Sequence, residues 1–183
     1  MKRGKTDIST IAPACTISLL ERREGGARNI INSAETVEVI KEVFGPKKWN
    51  FRKVSFESYS SSILSQYMTL QSTMVQISTS GTGSHMSMFL PEGAVDIEIK
   101  FVPDLHNNRG ICRVLPSTYC LDVDPPADFL EGKDFEELKW NDMMVDLDEL
   151  RVALQKAHDH LYTRCQKGTG KSRSITSKER NQN

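Results

Sequence analysis

Two groups of residues in this sequence have the types and spacing to hold an anion. The first is the turn Ser80-Gly81-Thr82-Gly83-Ser84, entered directly from the run TMVQIST at 73–79. Glycines at a strand end let backbone N–H groups approach a ligand closely, and a helix beginning at Ser84 adds the positive potential of its N-terminus. The second group is Arg22, Arg23 and Arg28 with Asn29 and Asn32, following the apolar run CTISLL at 15–20. A guanidinium grips phosphate oxygens through parallel N–H donors, so Arg22 and Arg28 suit a diphosphate. Taken singly, each group has a plain reading. A GxG after a strand is more often a turn, and an arginine-bearing loop is more often a solvated one. At the carboxyl ends of two strands in one α/β sheet, they describe a crevice in which Arg22 and Arg28 face the glycine turn.

Other residues carry less. His85 sits one position beyond the turn, where it either contacts a phosphate or sugar or is an idle surface histidine. Asp122-Val123-Asp124 has the spacing of a metal-chelating pair, but Pro125-Pro126 follows it, and a solvated turn is the expected reading. Gly168 to Ser172 contains Gly-Lys-Ser, yet position 165 is cysteine where a phosphate-binding loop needs glycine. The four cysteines, Cys15, Cys112, Cys120 and Cys165, form no C-x-x-C pair, so no zinc site is expected. Cys112 and Cys120 are close enough for a local disulfide in an oxidising compartment, and four buried or idle thiols is an equal alternative.

The elements that must position these groups follow from periodicity. Residues 15–20, 50–55, 73–79, 94–101 and 117–123 read as strands. A helix begins at Asn32 or Ser33, with Glu35 completing a capping box to Asn32, and Val37, Ile40, Val43 and Phe44 supplying its apolar stripe before Gly45-Pro46. A second helix is predicted over 59–73, a short one over Ser84 to Leu90, and a last one over 146–164 with Leu147, Leu150, Leu154, Ala157 and Leu161 on one face. Strands alternating with helices predict an α/β, Rossmann-like fold with a largely parallel sheet and flanking helices. Residues 1–15 are a short lead-in, 16–164 the domain, and 165–183 a polar, basic tail without apolar period.

Composition limits the partners. With 24 basic and 24 acidic residues the formal charge is zero, which gives no support to a nucleic-acid partner or a membrane-binding face. No apolar run approaches the ~18–20 residues that span a bilayer. The opening MKRGKTDISTIAPACTISLL is broken by Asp7 and Pro13 and lacks a signal-peptide core.

The ordered motifs resemble the family-61 glycosyltransferases, whose members include enzymes that modify EGF-like domains and plant xylan. In that family a strand ends in Arg, a second Arg precedes an Asn and a helix, and here ISLLERREGGARNIIN places Arg22, Arg28 and Asn32 there. The family then has a helix with Gln, a strand, HGAGLTxxxFLP, and a strand with Glu. In ILSQYMTLQSTMVQISTSGTGSHMSMFLPEGAVDIEI, residues Gln66, Gly81, Gly83, Phe89, Pro91 and Glu98 match. The similarity runs over 16–162 and closes on WNDMMVDLDELRVAL, like the family's last Asp-led helix. Ser80, Ser84 and His85 stand where the family has His, Leu and Thr.

The resemblance implies the C-terminal, donor-binding half of a GT-B glycosyltransferase. It implies a nucleotide-sugar donor, UDP-linked, bound without a divalent metal or other cofactor by Arg22, Arg28, Asn32, Gly81, Thr82, Gly83, Ser84, His85 and Glu98. Glu98 then lines the donor site, through a sugar or ribose hydroxyl, or acts as a structural carboxylate orienting Arg22 or a backbone amide. A hexosyl or pentosyl group passes to a protein or glycan acceptor in the Golgi or endoplasmic reticulum lumen. No catalytic base is assigned, because an acceptor-side N-terminal domain has no counterpart before Thr16. The chain therefore reads as part of a larger enzyme or, alternatively, as a non-catalytic binding module that kept the fold.

Overall fold

The computed structural model describes residues 15–22, 28–45, 49–55, 62–81, 84–103 and 117–167. The apolar runs form five strands: β1 (Thr16–Leu20), β2 (Asn50–Val54), β3 (Val75–Thr79), β4 (Val95–Ile99) and β5 (Tyr119–Val123). Between them lie α1 (Ser33–Phe44), α2 (Ile63–Gln71) and a 3-10 helix, Ser84–Phe89. After β5 come α3 (Ala127–Leu130), α4 (Phe135–Trp140) and α5 (Leu147–Lys167). Every pairing is parallel, in the order β2-β1-β3-β4-β5. The protein thus has the expected Rossmann-like parallel sheet with flanking helices. The chain leaves β1 toward β2 and then returns to the opposite side of β1 as β3. Beyond the carboxyl ends of β1 and β3 this reversal leaves a crevice, the usual ligand position in such sheets.

One face of the sheet is apolar. Ile17 and Leu19 lie in register with Val75 and Ile77, which in turn lie beside Val95 and Ile97, all buried. The Val37, Ile40 and Phe44 stripe of α1 and the Leu150, Leu154, Ala157 and Leu161 stripe of α5 complete this core. At its base the Phe44 ring meets Trp49 at 4.6 Å and His158 at 5.7 Å. Gly45 ends α1 at φ 66° and returns its N–H to Lys41 O, a conformation that favours glycine.

The opposite face is polar and equally buried. Gln76, Ser78, Asp96 and Glu98 occupy it at 0–1% exposure, beneath α2 and the 3-10 helix. A small cluster of Leu70, Leu90 and Ala94 seals the edge. Arg52 of β2 knots this side together, donating from Nε to Ser18 Oγ (2.8 Å) and from Nη2 to Ser72 Oγ (2.9 Å) and Thr73 Oγ1 (2.8 Å).

Several local expectations are revised. The second helix is observed over Ile63–Gln71 rather than 59–73. The acidic stretch after β5 contains α3 and α4, which the sequence reading left without structure. The last helix continues to Lys167, and Cys165 within it is disulfide-bonded to Cys15, 150 residues away. A domain boundary at 164 therefore cuts α5 and removes a covalent tie. Cys120 is disulfide-bonded too, while Cys112 lies outside the described residues. The reading of idle thiols is thus wrong for Cys15, Cys120 and Cys165. Among the described residues, no helix is long and apolar enough to cross a membrane.

Candidate functional site

The crevice at the strand reversal is where the two arginines and the glycine turn meet. Gly81 follows β3 at φ 142°, a backbone conformation that L side chains rarely adopt. A Cβ placed on it would lie 2.8 Å from Arg22 Nη2 and 2.8 Å from Arg28 Nη1, closer than real Cβ contacts come. Two guanidinium groups therefore close on one point, where a side chain would have to displace them and would itself be strained at this φ. Among the described residues, neither is ion-paired to a carboxylate. Two cations held together without a carboxylate among the described residues have the chemistry to attract an anion.

Arg28 is fixed on every side but one. Its Nε donates to Lys139 O (2.8 Å) and its Nη1 to Ser80 O (2.7 Å). The guanidinium carbon lies 4.7 Å from the centre of the Phe101 ring. Burial, followed by the charge of Arg22, lowers its pKa below the ordinary guanidinium range. Arg28 itself has φ 67°, and among the described residues no other non-glycine has positive φ. Such strain costs about 1–3 kcal/mol and tends to gather at functional positions.

A parallel strap holds this strained segment in place. Arg28 N donates to Asn141 O (3.1 Å), Met143 N to Asn29 O (2.7 Å) and Ile31 N to Met143 O (2.8 Å). Asn29 donates from its backbone N to Asp142 Oδ1 at 3.0 Å. Asn32 completes the strap: its Nδ2 donates to Val145 O (2.8 Å) and its Oδ1 accepts from Val145 N (3.0 Å). The expected capping box is therefore absent, because the Asn32 amide is spent on Val145 and makes no cap to α1. The structure gives Asn32 the work of a latch.

The remaining expected residues divide. Ser84 is buried, and both its N (3.0 Å) and its Oγ (2.6 Å) donate to Gly81 O, which pins the turn. The helix that begins there is a six-residue 3-10 helix. It supplies no α-helical N-terminus, so the positive potential of the crevice comes from the arginines. His85 is exposed beside it. Thr82 and Gly83 lie outside the described residues. Glu98 is fully buried on β4, in register with Ser78 and Asp122 on the polar face.

Sequence reading missed the neighbour of Glu98. Asp96, fully buried, accepts from Gln76 Nε2 at 3.1 Å. Burial above all, with the charge of Glu98 next, pushes its carboxyl well above the ordinary 3.8. Period-2 alternation placed Asp96 on a strand, and an acid inside a strand with apolar neighbours was the available signal. Asp124 pairs with Lys100 across the end of the sheet and donates its backbone N–H to Glu149 Oε2 at 2.8 Å. Among the described residues, no group of three or more His, Cys, Asp or Glu is placed to hold a metal.

Comparison with known proteins identifies the family. No curated protein matches the chain. The model of the family described as glycosyltransferase 61 matches residues 2–97, more than half of the sequence, and that span contains Arg22, Arg28, Gly81 and β1 to β3. The chain belongs to glycosyltransferase family 61.

Proposed function

We propose that this chain is the donor-binding part of a GT-B glycosyltransferase, and that it holds a nucleotide-sugar, UDP-linked, by its diphosphate between Arg22, Arg28 and the Gly81 turn. The observation that carries this reading is the convergence of Arg22 Nη2 and Arg28 Nη1 on the position a Cβ of residue 81 would take. The diphosphate supplies the negative charge that two adjacent guanidinium groups otherwise lack, and no divalent metal is needed to neutralise it. Ser84 and His85 border the same turn, and Thr82 and Gly83, which precede them in the sequence, are assigned to the same contact. Glu98 stands one strand away, as a wall of the donor site or as a structural carboxylate. The transferred hexosyl or pentosyl group goes to a protein or glycan acceptor, whose binding and activation fall to a second, N-terminal domain. The Cys15–Cys165 disulfide suits an oxidising compartment, the Golgi or endoplasmic reticulum lumen.

Calorimetric titration with UDP tests the donor site. Arg28→Ala removes charge-assisted hydrogen bonds worth about 1.5–3 kcal/mol, so Kd rises roughly 10- to 150-fold. Gly81→Ala drives a methyl group into both guanidinium groups and weakens binding as well. Chelation of divalent cations leaves the affinity unchanged. Equal UDP affinity in the wild-type chain and both variants rejects the proposal.

A further inference from the structure

We propose that Phe101 is a positioning residue of the anion site, acting through Arg28 without touching the ligand; this rests on the donor reading above. Phe101 lies two residues beyond β4 and is 4% exposed. One side of its ring faces the Arg28 guanidinium carbon at 4.7 Å. Its ring is also 5.7 Å from that of Phe135, the first residue of α4, and the same helix supplies Lys139 O to Arg28 Nε.

The choice of partner explains how two cations stay together and stay useful. A half-buried guanidinium beside Arg22 needs compensation. A carboxylate would provide it, but would occupy the N–H edge and compete with an incoming diphosphate. An aromatic ring compensates from the face instead, since its negative quadrupole attracts the cation and leaves the edge donors alone. Lys139 O and Ser80 O take one donor each from Nε and Nη1. Among the described residues the other N–H groups have no acceptor, and they suit an anion at the rim where Gly81 and Arg22 lie. The ring also prevents the flat group from tilting out of the plane those two carbonyls define.

The test uses the full 183-residue chain and UDP. Phe101→Leu is expected to raise the UDP Kd roughly three- to ten-fold. Phe101→Tyr, which keeps the ring, stays within about two-fold of wild type by the same reasoning. In the Arg28→Ala background, Phe101→Leu produces no further loss, because its effect passes through Arg28. If Phe101→Leu does not fold, incorporating mono-, di- and trifluorinated phenylalanine at position 101 keeps the shape while draining the ring's negative face. Affinity then falls stepwise with fluorination, which a merely space-filling residue would not produce. A flat fluorination series with a UDP-binding wild type, or additive losses with Arg28→Ala, overturns the role of Phe101 alone. Absence of UDP binding by the wild-type chain overturns the donor reading and this role with it.

Discussion

Successive residues of β3 contrast the two faces of one sheet. Ile77 points into the core built with α1 and α5, among Leu19, Ile97 and Leu154, whereas Ser78 points the other way, toward Glu98 and the layer under α2. Both are buried to within 1%. Parallel sheets covered on both sides are ordinarily apolar on both. Here one face follows that rule and the other carries Ser18, Gln76, Ser78, Asp96 and Glu98 in neighbouring registers. Burying polar groups costs free energy unless each finds a partner, and Ser78 Oγ has none among the described residues. The apolar face therefore supplies stability. The polar face runs up to Ser80, whose carbonyl holds Arg28, so the costly layer adjoins the crevice.

Substitutions can break this contrast. Ile77→Ala, on the apolar face, should destabilise the protein by about 2–5 kcal/mol, measured by chemical unfolding, through lost transfer energy and the cavity left behind. A loss below 1 kcal/mol would mean that this core is loosely packed and that the contrast is false.

Asp96 sharpens the comparison through pH. Its raised native pKa means that the folded protein keeps a proton which the unfolded chain releases above about 4. The stability it contributes is full below that value and is lost as the pH climbs to the native one. Burial raises this pKa most, the charges of Glu98 and Asp122 add to the rise, and hydrogen bonds from Ser87 and Gln76 oppose it. Wild-type melting temperature should decline across this window, while Asp96→Asn should flatten that dependence and be at least as stable at pH 8. Parallel profiles for the two proteins would show that Asp96 is ionised in the fold.

Ser78→Ala should have the smallest effect, within about 0.5 kcal/mol of neutral or slightly stabilising, because it removes a buried hydroxyl that has no hydrogen-bond partner among the described residues. A loss above 1 kcal/mol would reveal an ordered water or another partner at Ser78.

How legible each part was in the sequence follows the same division. β1, β3, β4 and α5 were readable because their residues repeat at period 2 or 3.6, and local repetition needs no knowledge of the fold. The approach of Arg22 and Arg28 to the glycine turn was readable as well, once both were assigned to strand ends. Features made by distant pairs were not. Asn32 has the type and spacing of a helix cap, but Val145 claims its amide from 113 residues away. Cys15 finds Cys165 rather than a neighbour, and a spacing of 150 carries no local signal. Nothing near Arg52 in the sequence indicates that Ser18, Ser72 and Thr73 gather around it. The helix α4 was hidden by its acidic composition, which favours a solvated reading until Leu138 is seen buried.

The strap between residues 28–32 and 141–145 has a consequence in time. On a ribosome Arg28 is made 111 residues before Lys139, whose carbonyl holds its side chain. At about 5–20 residues per second that gap is on the order of 5–20 seconds. Through that interval β1, β3 and β4 are free to pair in order. Arg28 meanwhile lacks the carbonyls of Lys139 and Asn141 that hold it in its left-handed conformation beside Arg22. The crevice is thus among the last parts of a nascent molecule to take shape. A chain released before residue 139 would carry the glycine turn and both arginines without the strap or the Cys15–Cys165 bond that ties the residue before β1 to α5.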